Sequence, residues 1–238
     1  MRLISLRLAA FAALVGLTSG CQADPPQGGP GTGLPPVGAA RFANVSTCVP
    51  PKAGQNPPAC PGDNCAQNAI GDAEPDGRAV DLAICTLDLV FTKGTIVTPE
   101  GGGGRPDLLI HLGAKANGPA RVEASENGTD YQVIGFLNRA AVPGSVNARC
   151  IARCVERRCK SGETCTNGQP CDLDGFCYAQ TCSPGGSAVL DLSAGLDSAG
   201  CNSVYNVRHL RLSHFQGSPT SVSIDAAEAL EGSFCLAN

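Results

Sequence analysis

Apolar and polar residues alternate along this chain in short runs of the length of β-strands. Arg121 to Ser125 (RVEAS) sets Val122 and Ala124 on one face and Arg121, Glu123 and Ser125 on the other. Asn127-Gly128 supplies a turn, and Tyr131 to Leu137 (YQVIGFL) returns, which together make a β-hairpin. Leu108 to Leu112 is a nearly continuous apolar run, as expected of a buried strand. Val80 to Phe91 holds two alternating runs, Leu82/Ile84 and Leu87/Leu89/Phe91, with a slip near Cys85 that predicts a turn or bulge. Further on, Ala188 to Leu192, Val204 to Phe215 and Ser221 to Ala226 each fit strands.

The pattern breaks twice. The first break is the N-terminus. Arg2 and Arg7 precede an uncharged apolar stretch, Leu8 to Leu17, followed by the small residues Thr18-Ser19-Gly20 and then Cys21. This is the layout of a signal peptide over residues 1 to 20, and the apolar stretch is too short to span a bilayer, which takes about 20 apolar residues. Leu17 to Cys21 (LTSGC) resembles the lipobox of bacterial lipoproteins, with Thr18 where an apolar residue is usual. That resemblance implies a membrane anchor through lipid on Cys21, and Gln22 in place of Asp favours the outer membrane; simple secretion is the alternative. Residues 21 to 39 are almost all Pro, Gly and small polar residues, which bury too little to offset chain entropy and read as a tether.

The second break, residues 147 to 185, reads as a cysteine-rich insertion between two parts of one β domain (40 to 146 and 186 to 238). Asn147 is placed to cap a short helix running to about Cys159, which would set Arg149, Arg153 and Arg157 in one i, i+4 stripe, a patch suited to an anionic ligand. The remainder of the insertion has almost no apolar content and must be stapled to hold a shape.

Cysteine use supports export. The chain has 14 cysteines and no C-x-x-C, so the close ligand pairs of zinc ribbons are missing and disulfides are the expectation. The candidates are Cys48, Cys60, Cys65, Cys85, Cys150, Cys154, Cys159, Cys165, Cys171, Cys177, Cys182, Cys201 and Cys235; acylation of Cys21 leaves this odd number of thirteen (14 less one). Loss of Arg2 and Arg7 with the leader moves the formal charge from −4 to −6, unsuited to general nucleic-acid binding. With 30 glycines and 18 prolines the body is expected to be all-β rather than helical.

Three phrases are similar to those of one family. Residues 69 to 77 (AIGDAEPDG), 120 to 134 (ARVEASENGTDYQVI) and 207 to 230 (VRHLRLSHFQGSPTSVSIDAAEAL) resemble, in order, the opening, a hairpin and the closing strand pair of discoidin-like, galactose-binding-like domains of bacterial surface proteins. His111 stands where that pattern often has an acid. The resemblance implies an antiparallel, jelly-roll-like β-sandwich with a binding role. A jelly roll brings its first and last strands together, so Asp72, Glu74 and Asp76 with Asp225 and Glu228 form a candidate structural calcium site; no other cofactor is suggested.

The only histidines are His111, His209 and His214, no H-E-x-x-H occurs, and no G-x-S-x-G elbow singles out a serine. The expectation is therefore a non-catalytic adhesion or recognition module, meeting a protein or polysaccharide at the cell surface. With no Trp and three Tyr, a carbohydrate-binding module is the second choice; a structural envelope role and a hydrolase follow.

Overall fold

The computed structural model describes residues 41–49, 69–71, 79–82, 86–98, 105–138, 146–197, 200–214, 221–230 and 232–237. Among the described residues, thirteen strands make two main antiparallel sheets and a small third one. β1 (Val45–Val49), β3 (Thr86–Val90), β11 (His209–His214), β6 (Ala120–Ser125) and β7 (Gln132–Leu137) form a five-stranded sheet in that order. β2 (Val80–Asp81), β12 (Val222–Ala229), β5 (Leu108–Asn117), β10 (Ser187–Leu190), β8 (Arg153–Arg158) and β9 (Phe176–Ala179) form a six-stranded one. β4 (Gly94–Ile96) and β13 (Phe234–Leu236) pair separately.

The inward faces of both sheets share one apolar core. Leu87, Leu89, Val122, Ala124, Leu210 and Leu212 come from the five-stranded sheet, and Leu108, Ile110, Leu112, Ala188, Leu190, Val222 and Ile224 from the other. The period-2 alternation of β3 and β11 produces this directly: every second residue is buried, and its neighbours face outward; on β6, Val122 and Ala124 join the core while Glu123 and Ser125 are buried as well. The fold is thus an antiparallel β-sandwich, and the hairpin read from RVEAS–NG–YQVIGFL is β6–β7. The slip between Leu82 and Leu87 separates strands of different sheets, β2 and β3.

The insertion departs from the sequence expectation. Asn147 does cap, accepting a hydrogen bond from the Arg149 amide at 3.0 Å, but the turn it caps is a single 3₁₀ turn, Ala148–Cys150. The expected helix to Cys159 gives way to strand β8. Tertiary pairing outweighs helix propensity here. Val155 is held between Ser187 and Tyr178, and its chain neighbour Cys154 is tied to Cys182.

Four disulfides hold this region: Cys150–Cys201, Cys154–Cys182, Cys159–Cys171 and Cys165–Cys177. The last two interleave in sequence, and Cys154–Cys182 encloses them. Cys48 and Cys235 are disulfide-bonded as well, so every cysteine among the described residues is oxidised. Cys21, Cys60, Cys65 and Cys85 lie outside the described residues.

Candidate functional site

The outward face of the six-stranded sheet carries a polar cluster built from residues far apart in sequence. β5 alternates inward Leu108, Ile110 and Leu112 with outward Leu109 and His111. β10 alternates inward Ala188 and Leu190 with outward Ser187 and Val189. His111 and Ser187 are directly opposed across these strands. Leu112 donates its N–H to the Gly186 carbonyl at 2.8 Å, so this is a pair without hydrogen bonds between its own backbones, the kind whose side chains stand closest.

Breaks in strand register on β12 and on β8 complete the cluster. On β12, strict alternation from Val222 and Ile224 would drive Glu228 into the core. The irregularities between Val222 and Ala226 shift the parity, so Ala227 and Ala229 face inward and Glu228 outward. On β8 the register shifts between Val155 and Arg157. Val155 and Arg158, rather than Val155 and Arg157, then share the outer face.

Glu228 is the hub. His111 Nε2 lies 3.2 Å from its Oε2, Arg158 Nη2 3.2 Å from its Oε1, and Arg41 Nη2 3.6 Å from Oε1. Burial would raise the Glu228 pKa, but the His111 hydrogen bond and the charges of Arg158, His111 and Arg41 together hold it below the ordinary glutamate value. On the other side of the imidazole, Ser187 Oγ is 3.1 Å from His111 Nδ1. With Nε2–H donating to an ionised Glu228, Nδ1 is the lone pair that accepts from the serine hydroxyl. Phe42 stacks on the His111 ring at 5.9 Å. Residues 41 to 43 run along β12, with the Ala229 N–H donating to Arg41 and the Ala43 N–H to Ala227.

Beside this cluster lie β8 and β9. The Arg153 guanidinium sits 3.3 Å over the Tyr178 ring and reaches Asp172 at 2.6 Å and Asp174 at 3.4 Å. Tyr178 also donates its hydroxyl proton to Asp174, and burial followed by that bond pushes its pKa up. Arg158 lies 5.4 Å over Phe176. Asp172 also accepts from the Leu173 N–H, and Asp174 from the Phe176 N–H. Leu173, 92% exposed, is thereby held at the tip of a fixed turn.

The arginines expected to form an open anionic-ligand stripe are not one patch. Arg149 is in the 3₁₀ turn, Arg153 is matched by Asp172 and Asp174, and Arg157 reaches Glu163 at 2.8 Å and the Thr164 carbonyl. The reason is strand geometry: residues four apart on a strand are separated by roughly 13 Å, against about 6 Å on a helix. Of the candidate calcium ligands, Asp72, Glu74 and Asp76 lie outside the described residues. Asp225 is buried on β12, and Glu228 engages three basic groups, which compete directly with a cation. The sulfurs of Cys159, Cys165 and Cys177 lie within 4.8 Å of one another, but all three are in disulfides and offer no thiolate to a metal.

Glu228, His111 and Arg158, the last as a neighbour of the arginine stripe, are marked by the sequence; Ser187 and Arg41 are not. His111 is 76 residues from Ser187 and 117 from Glu228, and no local motif links them. Compared with known proteins, the chain matches no family model, no curated protein and no solved structure.

Proposed function

We propose that this chain is an exported bacterial surface lipoprotein, anchored in the outer membrane through lipid on Cys21, whose sandwich carries the insertion as an adhesion or recognition element. The observation that carries this reading is the construction of the insertion. Its strands β8 and β9 continue the core sheet, three disulfides lie wholly within it, and an ion-paired turn presents Leu173 to solvent. Ordering an apolar side chain in advance lowers the entropy cost of docking to a protein partner.

Oxidation of all described cysteines supports an extracytoplasmic home. The resemblance to discoidin-like domains supports a binding role. A protein partner is favoured over a sugar because Tyr131 and Tyr178 each already have one ring face covered, by Arg211 at 3.9 Å and Arg153 at 3.3 Å. Stacking a pyranose needs such faces.

Two measurements test the proposal. The intact mass of the mature protein extracted from membranes is expected to show diacylglycerol and a fatty acid on Cys21; a soluble, unlipidated mass overturns the anchor. Antibody fragments specific for the folded insertion are expected to label intact cells and to block their adhesion, and labelling only after lysis overturns a surface role.

A further inference from the structure

We propose that Ser187, His111 and Glu228 form an acyl-transfer centre that acts on carboxylic esters with good leaving groups, an activity beyond recognition. Three adjacent strands, β12, β5 and β10, each contribute one member, and the chain of contacts is continuous: Glu228 Oε2 to His111 Nε2 at 3.2 Å, His111 Nδ1 to Ser187 Oγ at 3.1 Å. This is the arrangement that base-activated hydroxyls use, an orienting carboxylate, an imidazole and a nucleophile within hydrogen-bond reach. It is recognised by roles rather than by sequence order or by which ring nitrogen faces the serine.

Each member is held in place. Glu228 is fixed by Arg41 and Arg158, and the imidazole by Phe42 against its face. Ser187 opens β10 directly after Gly185-Gly186; a side chain added at Gly185 would meet nothing within 4 Å, so the approach to the turn is open. His111 and Ser187 are half-buried, which leaves the pair within reach of a small solute while shielding the carboxylate.

In the forward step the Ser187 Oγ electron pair forms a bond to the ester carbonyl carbon, and the hydroxyl proton moves to His111 Nδ1. Glu228 stabilises the imidazolium. The tetrahedral adduct collapses, its bond to the leaving oxygen breaks, and His111 returns the proton to the departing alcohol or phenol. Water then attacks the acyl-serine by the same route, giving the carboxylic acid and restoring Ser187. A base-activated hydroxyl suffices for an ester with an acidic leaving group; a peptide amide demands more, so peptides are not the substrate class.

The test uses the mature full chain with a fluorophosphonate probe, and p-nitrophenyl acetate for turnover. The folded wild-type protein is expected to take up one probe, mapped by peptide mass to Ser187, and to hydrolyse the ester. S187A is expected to abolish both, H111Q to slow labelling at least 100-fold, and S183A to leave both unchanged. An unchanged thermal unfolding midpoint in H111Q separates lost chemistry from lost folding. No labelling of folded wild type, labelling at another residue, or H111Q labelling at the wild-type rate overturns the proposal. None of these outcomes bears on Cys21 lipidation or on cell-surface labelling of the insertion.

Discussion

Arg211 on β11 and Asp88 on β3 are opposed across the outer face of the five-stranded sheet and share two hydrogen bonds of 2.7 Å each. The same guanidinium covers Tyr131 at 3.9 Å. The paired geometry joins a cross-strand ion pair to a cation–π contact, each of which adds modestly to sheet stability. Asp88→Asn is expected to lower the unfolding free energy by about 1 kcal/mol, measured by urea denaturation at low salt, with a smaller loss at high salt.

Asp107 gives a pH dependence of defined sign. Its carboxylate is buried, accepting from Ser233 Oγ at 2.6 Å and the Leu192 N–H at 3.0 Å. Burial raises its pKa from 3.8 to about 6; the two hydrogen bonds pull it down, and nearby Asp191 pushes it up. A raised acid binds its proton more tightly when folded, so its contribution is fully present below the unfolded pKa and lost as pH rises through about 6. Between pH 4 and 6 this one group is expected to remove about 2–3 kcal/mol from the stability. Asp107→Asn should flatten that part of the stability–pH curve measured by thermal unfolding.

The disulfides are expected to differ in worth by the length of chain they close. Cys150–Cys201 spans 51 residues, and Cys159–Cys171 spans 12. On chain entropy the first contributes ~4 kcal/mol and the second ~3 kcal/mol. Urea midpoints of the C150A/C201A and C159A/C171A double variants should fall in that order. Equal midpoints would show that the insertion's own loop matters as much as its tie to the sandwich.

Gly135 on β7 marks a close approach between the two sheets. A Cβ there would stand 2.5 Å from Leu190 Cδ2 on β10 and 2.8 Å from the Cys150 carbonyl. Gly135→Ala is expected to cost about 1–3 kcal/mol by overpacking, seen as a lower thermal midpoint. Gly162, which has open space around it, carries a backbone φ of +90° instead, and its alanine variant should lose stability through backbone strain alone.

Most of the sandwich was legible because its strands keep period 2. RVEAS and YQVIGFL, the apolar run at Leu108, and the run from Ser221 to Ala226 all supply strands of the core. What stayed hidden is what breaks that period. Register shifts on β12 and β8 turned Glu228 and Arg158 outward, and no propensity marks a register shift in a single sequence. The helix expected from Asn147 failed for a related reason: its cap formed, but pairing of Val155 with residues 23 and 32 positions away set the conformation. Contacts at that range are invisible to windows of a dozen residues. The oxidised cysteines, by contrast, were readable from count and spacing, though their partners were not.

Strand β10 lies between core strand β5 and insertion strand β8, bonded to both along its length. This side-by-side arrangement has a mechanical consequence. A partner gripping the insertion and drawing it along the strand direction would load the ladder in shear, where its hydrogen bonds resist together rather than opening one at a time. Behind that ladder, Cys154–Cys182 and Cys150–Cys201 would bear tension as covalent links. Such a pull would reach the body of the molecule through a sheared ladder backed by two covalent links, rather than through a flexible joint.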